Sequence, residues 1–298
     1  MIEVKDVYKT LGEKNILTNI NIEVKKGTIF GLIGENGAGK TTLIKCLTGI
    51  YKQDKGCIKV QGEEVFENPK IKEKIGYIAA EGQYYNSFKI KELIKFYSMT
   101  YKSFSYTRFK ELNKIFKISE NKRIRELSKG MKMRVSLMLN LSIYPEILIL
   151  DEPTSGLDPI IKRKVINLLV DEVSKRGTTI FISSHHLEDL ERICDSIAIM
   201  EKGEIKYINN IENMKNSIKK LQVLFKDKSI INEIKKYKEV MTIENIGRIN
   251  YIITKNYTKE LKEKLMGNGA EFIEEIDLSL EDMFIYSTEG GEEYEDIM

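Results

Sequence analysis

The 298-residue chain is poor in cysteine, proline and histidine, with three, four and two residues respectively, and it has no tryptophan. Its cysteines are Cys46, Cys57 and Cys194, which form no CxxC pair and no metal-ligand spacing. This pattern excludes a disulfide-rich scaffold and predicts free or buried thiols in a reducing compartment. The scarcity of proline excludes a proline-rich linker between domains.

Long apolar runs and a strong charge of one sign are also missing. No run approaches the ~20 apolar residues of a membrane-spanning helix, and the N-terminal MIEVKDVYKT lacks the apolar core of a signal peptide. The net charge is +3, from 48 basic and 45 acidic residues, which is too small to suggest a nucleic-acid partner. We therefore expect a cytoplasmic protein that does not itself cross a membrane.

The apolar residues that are present alternate between strand and helix patterns. Short apolar runs at 28–33 (TIFGLI) and 147–150 (ILIL) are typical of buried parallel strands. Helical periodicity follows both, and a mostly helical stretch spans about 87–142. This order predicts an α/β domain over residues 1–215 with a helical insert. From residue 216 to 288 a strand–helix–strand–helix–strand pattern predicts a small α+β appendage, and the acidic residues 289–298 predict a disordered tail.

A glycine-rich loop follows the run TIFGLI and precedes the helical LIKCLTGI. The loop, GENGAGKT, matches G-x-x-x-x-G-K-[ST] in full and lies in the strand–loop–helix context that this motif requires. Its glycines let backbone N–H groups turn toward phosphates, and its lysine supplies a positive charge. The predicted phosphate-binding residues are Gly34, Glu35, Asn36, Gly37, Ala38, Gly39, Lys40, Thr41 and Thr42, and the Thr41 hydroxyl is a predicted ligand of Mg²⁺.

Two carboxylates, Asp151 and Glu152, follow the apolar run ILIL. Ligands of open α/β sheets bind at the carboxyl ends of the strands, where these acids fall. Asp151 is predicted to hold Mg²⁺ through water, since this ion keeps much of its hydration shell. Glu152 is then free to act as a base on an attacking water.

A second anion-binding element is predicted in LSKGMKMR, residues 127–134. Ser128 is a good helix N-cap, and a helix start offers free N–H groups and a positive dipole end. Because the loop at 34–41 already supplies a phosphate site, the pattern alone does not say which anion would bind there.

Four phrases occur in order with suitable gaps: GENGAGKTT, LSKGMKMR, LILDEPTSGLDP and ISSHHLEDLERICD. In this arrangement the chain resembles the nucleotide-binding subunits of ABC transporters over about residues 1–215. LSKGMK in place of the commoner LSGGQ, with SLEDMF (279–284) in the appendage, is similar to the subfamily that serves ABC-2-type exporters of multidrug, antibiotic or peptide type.

The resemblance implies a P-loop cassette that binds ATP and Mg²⁺ and works as a head-to-tail dimer. Ser128 and Gly130 would face the γ-phosphate held by the other cassette, Asp158 would cross the dimer seam, and His185 would contact the γ-phosphate. His186 has no implied role and is interpreted as structural. The implied partners are an integral-membrane permease, which would hold the chain at the inner face of the membrane, and a second cassette that is either identical or paralogous.

Two positions depart from the family pattern. Leu11 stands where the family usually has an aromatic residue that stacks on adenine. The loop glutamine of the family aligns with Ala80, and Glu81 or Gln83 are the alternatives for its role. Nearby, Tyr84, Tyr85 and Phe88 either form the groove that receives the membrane subunit or fill the core of the helical insert.

The main prediction is an exporter ATPase that hydrolyses ATP to ADP and phosphate. An importer subunit is the first alternative. A non-transport ABC ATPase is less favoured, because this chain has one cassette and no coiled-coil or zinc insertion.

Overall fold

The computed structural model describes residues 1–80, 84–255, 257–279 and 282–283, without the side chains of Ser217 and Lys228. The strands are β1 (Ile2–Leu11), β2 (Lys14–Val24), β3 (Ile29–Ile33), β4 (Lys55–Val60), β5 (Glu63–Glu64), β6 (Ile75–Ile78), β7 (Ile147–Asp151), β8 (Thr179–Ser184), β9 (Ser196–Glu201), β10 (Glu204–Asn210), β11 (Ile218–Phe225), β12 (Val240–Ile246), β13 (Ile249–Lys255) and β14 (Ala270–Ile276). The helices are α1 (Lys40–Leu47), α2 (Pro69–Lys72), α3 (Ile90–Thr100), α4 (Tyr106–Phe116), α5 (Lys129–Leu141), α6 (Pro159–Arg176), α7 (Leu187–Glu191), α8 (Ile211–Ser217), α9 (Ile231–Ile234) and α10 (Lys259–Gly267).

The chain divides into two units, Met1–Ile208 and Asn209–Met298. The division falls a few residues before the boundary expected at 215. The boundary lies earlier because α8 packs against β11 and so belongs with the second unit.

The first unit is organised by a six-stranded sheet in the order β10-β9-β3-β8-β7-β6. The pairs β3–β8, β3–β9, β6–β7 and β7–β8 are all parallel. Every residue of β3, β7 and β8 is buried, which explains their continuous apolar sequences. Since these strands are parallel neighbours, their carboxyl ends lie at one edge of the sheet, and this edge carries the candidate site.

A second sheet in this unit has the order β2-β1-β4-β5 and is antiparallel. Its inner residues share one core with the six-stranded sheet and α1; Ile2, Ile20 and Ile58 are at most 2 % exposed, as are Phe30 and Phe181. The rings of Phe30 and Phe181 stack on adjacent strands with their centroids 5.5 Å apart. The result is an α/β cassette with a mixed sheet core, as the sequence predicts.

Helices α3, α4 and α5 lie between β6 and β7 and form the predicted helical insert. A buried ion pair joins the insert to the sheet layer, because Arg108 on α4 pairs with Glu172 on α6, whose side chain is 1 % exposed. Arg176, one turn further along α6, lies 3.4 Å from the same carboxylate. The pair therefore fixes α4 against α6. Removal of Arg108 would leave the buried Glu172 carboxylate without this partner, which costs stability.

The second unit contains an antiparallel sheet in the order β12-β13-β11-β14. With α9 after β11 and α10 after β13, its chain order is βαββαβ, which with this sheet order is the split ferredoxin-like arrangement. Its own core includes Leu221, Ile252, Leu261 and Leu265, each fully buried. Strand β12 was not predicted, since the sequence pattern indicated only a helix between β11 and β13.

All three cysteines are free. Burial raises the pKa of the Cys46 thiol to about 11 and that of Cys194 higher still, so both stay protonated and unreactive near neutral pH. Over the ranges that the structure describes, no helix is both long and apolar enough to cross a membrane. The predicted acidic tail at 289–298 lies outside these ranges.

Candidate active site

The phosphate loop joins β3 to α1 at the carboxyl edge of the parallel sheet. Gly39 is the N-cap of α1 and has a φ of 109°, a conformation that side chains strongly disfavour. A Cβ at this position would also lie 3.0 Å from the carbonyl oxygen of Ile16 on β2. The loop therefore needs glycine to turn its N–H groups inward beside the start of the helix.

Lys40 begins α1, and its side chain is only 5 % exposed. Its ammonium group donates to the carbonyl oxygens of Gly34 at 2.6 Å and Glu35 at 3.0 Å. It also lies 3.2 Å from Oε1 of Glu152. The charge is thus held inside the curve of the loop, where a phosphate group would replace these oxygen partners.

Asp151 is the last residue of β7 and is 1 % exposed. Its two carboxylate oxygens each accept one short hydrogen bond, from Thr41 Oγ1 at 2.8 Å and from Ser183 Oγ at 2.8 Å. A hydroxyl and a buried carboxylate from separate elements form an oxygen-only set, which suits Mg²⁺. No cluster of three or more metal-ligating side chains is found among residues that the structure describes.

Glu152 follows Asp151 with a φ of 49°, in the left-handed region that is strained for a residue with a side chain. Its N–H donates to Ser183 Oγ at 3.1 Å, which holds this backbone in place from the neighbouring strand. Its Oε2 lies 2.6 Å from Nδ1 of His185. The carboxylate consequently sits between the Lys40 ammonium and the His185 ring.

His185 follows β8 directly, and its ring lies 3.9 Å from that of His186. Nδ1 is engaged with Glu152, so Nε2 is the ring nitrogen through which the imidazole could contact a ligand. His186 donates its backbone N–H to Ser184 Oγ, which is a turn contact.

The structure brings five predicted residues into one contact network: Lys40, Thr41, Asp151, Glu152 and His185. Ser183, which touches both acids, was missed by sequence reasoning. The available signal was its place near the end of a fully buried strand, where a hydroxyl needs a polar partner.

Four other predicted residues lie outside this network. Ser128 is exposed and caps α5 by accepting from the N–H of Met131 at 3.2 Å. Asp158 is exposed and caps α6 through the N–H of Ile161 at 3.0 Å. Gly130 lies against Leu157, since a Cβ there would meet Leu157 Cδ2 at 2.8 Å. Leu11 ends β1 and is 37 % exposed.

The aromatic residues before α3 divide between the two predicted alternatives. The Tyr84 hydroxyl reaches Tyr97 at 3.1 Å and Ser136 at 3.2 Å, and burial raises its pKa. Tyr85 is 76 % exposed and pairs with the Phe88 ring at 5.5 Å. Glu81 and Gln83, the two candidates for the role of the family's loop glutamine, lie outside the described residues.

Comparison with known proteins identifies the family of the chain. The family model described as ABC transporter matches residues 17–155. The chain is 32% identical over 285 residues to the ABC transporter ATP-binding protein YtrB of Bacillus subtilis (strain 168), covering 96% of this chain and 97% of that protein.

Two relatives differ in the transport that their names state. The bacitracin transport ATP-binding protein BcrA of Bacillus licheniformis is 36% identical over 69% of this chain and 68% of its own length. The methionine import ATP-binding protein MetN of Clostridioides difficile (strain 630) is 34% identical over 78% of this chain and 75% of its own length.

Solved structures share the fold. The structure of an ATP binding subunit of an ABC transporter has a TM-score of 0.66 and 28% identity, covering 72% of this chain and 91% of that one. The dimeric post-hydrolysis cassette MJ0796 bound to ADP and Pi has a TM-score of 0.65 at 23% identity, covering 71% of this chain and 99% of that one. With the YtrB likeness running almost end to end, this chain belongs to the ABC transporter family as an ATP-binding subunit, and its activity is the hydrolysis of ATP.

Proposed function

We propose that this ATPase subunit powers an ABC-type exporter, by closing with a second cassette around two MgATP molecules and driving a separate membrane permease. The observation that carries the ATPase chemistry is the position of Glu152 between Lys40 and His185 at the end of the phosphate loop.

The loop from Gly34 to Thr42 would bind the phosphates through its inward N–H groups. Lys40 would exchange its two backbone carbonyl partners for the β- and γ-phosphate oxygens. Thr41 and Asp151 would hold Mg²⁺, which when bound neutralises charge that develops on the phosphates.

Glu152 would accept a proton from the attacking water, because its carboxylate lies 3.2 Å from the Lys40 ammonium that would bind the phosphates. His185 would orient that carboxylate through Nδ1, which lies 2.6 Å from Oε2, and its Nε2 would contact the γ-phosphate. Lys40 and Glu152 pair with each other here, and nucleotide binding would separate them.

The proposal of a second cassette is based on predicted site residues that lie outside the contact network around Glu152. The exposed helix start at Ser128, with Gly130 in its first turn, offers N–H groups to a phosphate that this chain's own loop does not hold. Asp158 is exposed at another helix start. In a two-fold arrangement each cassette would supply these groups to the other's nucleotide. The second cassette is either another copy of this chain or a paralogue.

Strand β2 passes beside Gly39 of the phosphate loop, and its residue Lys14 pairs with Leu11 at the end of β1. The end of β1 therefore lies near the loop, and adenine would contact it there. Changing Leu11 to Tyr supplies a ring that can stack on the base, and we expect ATP affinity to rise about 2- to 10-fold. Equilibrium binding of ATP by fluorescence or calorimetry checks this result. Leu11→Met is the matched control, and equal Kd values for both variants would remove Leu11 from the base site.

The permease would dock on the ring pair formed by the exposed Tyr85 and the partly buried Phe88. We expect the double change Tyr85→Ala with Phe88→Ala to abolish co-purification of the membrane subunit while basal ATP hydrolysis stays within about twofold. Tyr106→Ala removes another partly exposed aromatic residue, on α4, and serves as the control. An intact complex would exclude docking at this pair, whereas an unfolded variant would show that the aromatics belong to the core.

Export is favoured over import by the signature LSKGMK and by SLEDMF, whose Leu280, Glu281 and Phe284 lie outside the described residues. We assign the second unit, which begins at Asn209 instead of the expected residue 216, to an accessory domain. An importer remains the second candidate, because the methionine import relative covers 78% of this chain.

Direction of transport can be tested in cells in which Glu152→Gln replaces the native chain. If the chain serves an exporter of the kind suggested by the bacitracin relative, survival in bacitracin or in related peptide antibiotics falls and methionine uptake stays normal. Loss of methionine uptake with unchanged survival would instead support the importer.

A further inference from the structure

We propose that Asp189 is a positioning residue for ATP hydrolysis: one buried carboxylate on α7 holds the segments that carry Glu152, His185 and Asp158 in a fixed mutual arrangement. The inference rests on the proposed roles of Glu152 and His185. It concerns a residue outside the phosphate loop, the two acids and the signature segment.

The two oxygens of Asp189 bind two different segments. Oδ2 accepts a hydrogen bond from Thr154 Oγ1 at 3.0 Å, and Oδ1 forms a close ion pair with the ammonium of Lys162. The Asp189 side chain is 6 % exposed, and Thr154 is 7 % exposed. A buried carboxylate is costly unless it is well paired, and here both oxygens are satisfied.

Each partner is placed close in sequence to a site residue. Thr154 comes two residues after Glu152, in a tight turn where the Ser155 N–H donates to the Glu152 carbonyl at 3.2 Å. Lys162 lies in the first turn of α6, and its N–H donates to the carbonyl of Asp158 at 2.9 Å. Asp189 itself stands four residues after His185, so a single side chain ties three segments together.

The backbone of Glu152 needs such support. Its φ of 49° is a strained conformation that persists only when neighbouring contacts impose it. Ser183 holds the residue on one side, through the Glu152 N–H. Asp189 holds the other side through Thr154. If this second contact is lost, the turn after Glu152 can relax and move the carboxylate away from His185.

The consequence is kinetic. The Glu152–His185 contact of 2.6 Å places the base, and displacement of a reacting group by about 1 Å can lower a rate 10²-fold. Nucleotide binding depends instead on the phosphate loop, which Asp189 does not touch in the contacts of the described residues. A positioning role therefore predicts a change in kcat with little change in ATP affinity.

The test uses purified full-length variants and compares kcat, KM and the stoichiometry of bound ATP. Thr154→Val removes only the hydroxyl and Lys162→Met removes only the ammonium, while Asp189→Ala removes the acceptor of both. We expect kcat per bound nucleotide to fall about 10- to 100-fold in Asp189→Ala and less in the other two, with KM within about threefold. Asp189→Glu, which keeps both acceptor oxygens, is expected to recover most of the rate.

The effects of double variants distinguish this positioning role from a general loss of structure. Because Thr154 and Lys162 act through the same carboxylate, adding either change to Asp189→Ala should cause no further loss of kcat. Asp171→Asn, which breaks the exposed Asp171–Lys175 pair on α6, is the matched control and should keep the native rate.

Unchanged kcat in Asp189→Ala and Thr154→Val overturns the proposal, as does a fall explained entirely by a smaller fraction of nucleotide-binding protein. If Asp189→Ala does not fold, Thr154→Val decides alone. Glu152→Gln is measured in parallel, and a native rate of ATP hydrolysis in this variant overturns the proposed role of Glu152. If Glu152→Gln is inactive but Asp189→Ala hydrolyses ATP at the native rate, only the positioning role is overturned.

Discussion

Glu152→Gln is expected to bind MgATP with near-native affinity and to hydrolyse it about 10²–10⁴-fold more slowly than the native chain. The amide has nearly the shape of the carboxylate, so it preserves the turn after β7 and a hydrogen bond with His185. It cannot take a proton from water. Steady-state release of phosphate and equilibrium binding of ATP together measure the two halves of this expectation.

Glu146→Gln is the matched control for this change. Glu146 lies just before β7, at the opposite end of the strand from Glu152, and pairs at the surface with Lys74 at 3.4 Å. It should hydrolyse ATP at the native rate. Native turnover in Glu152→Gln would instead assign the base to another group, and loss of binding in that variant would mean that its carboxylate shapes the phosphate site.

Lys40→Ala is expected to lose nucleotide affinity, because its ammonium is the buried positive charge inside the phosphate loop. Removal of one member of a buried charged pair costs about 2–5 kcal/mol, which corresponds to a roughly 30- to 4,000-fold increase in the Kd for ATP. Binding of a fluorescent ATP analogue over a wide concentration range measures the change.

The effect should exceed that of a general loss of positive charge. Lys175→Ala removes an exposed ammonium from α6, where the lysine pairs with Asp171 at 2.8 Å, and should leave the Kd unchanged. An equally weak effect of Lys40→Ala would contradict the assignment of the loop as the phosphate site, and the proposed exchange of partners at Lys40 would be lost with it.

The fold class was predictable because its signals are local and continuous. Parallel strands buried on both faces, such as β3 and β7, show apolar runs in the sequence, and the loop between β3 and α1 has a fixed spacing of glycines and lysine. The edge at which Asp151 and Glu152 lie then follows from the parallel arrangement.

Other elements left no comparable signal. Strand β4 begins with Lys55 and Gly56, whose φ is 78°, and its short apolar stretch is interrupted by Lys59, so its sequence does not resemble a strand. Strand β12 is partly exposed over most of its length and lacks a buried apolar run. Both strands are specified by their neighbours in the sheet, which is tertiary information.

The contacts around the two acids were unpredictable for a similar reason. Ser183 and Asp189 are short polar residues whose burial depends on how β8 and α7 pack beside the turn after Glu152. Helix α7 has only five residues, too few for a periodic pattern that would show which side faces inward. Residue spacing therefore predicted the groups that would meet phosphate, but not those that hold them in place.

The central claim is that this ATPase works as one subunit of a transporter, together with a membrane permease. Affinity purification of the tagged chain from detergent-solubilised native membranes, followed by quantitative mass spectrometry, tests it most directly. We expect a multi-span membrane protein in an amount near that of the cassettes, and a second ATPase in the same complex would identify a heterodimer. Recovery only from the soluble fraction, with ribosomal or DNA-repair proteins, would contradict the transporter assignment while leaving the ATP chemistry in place.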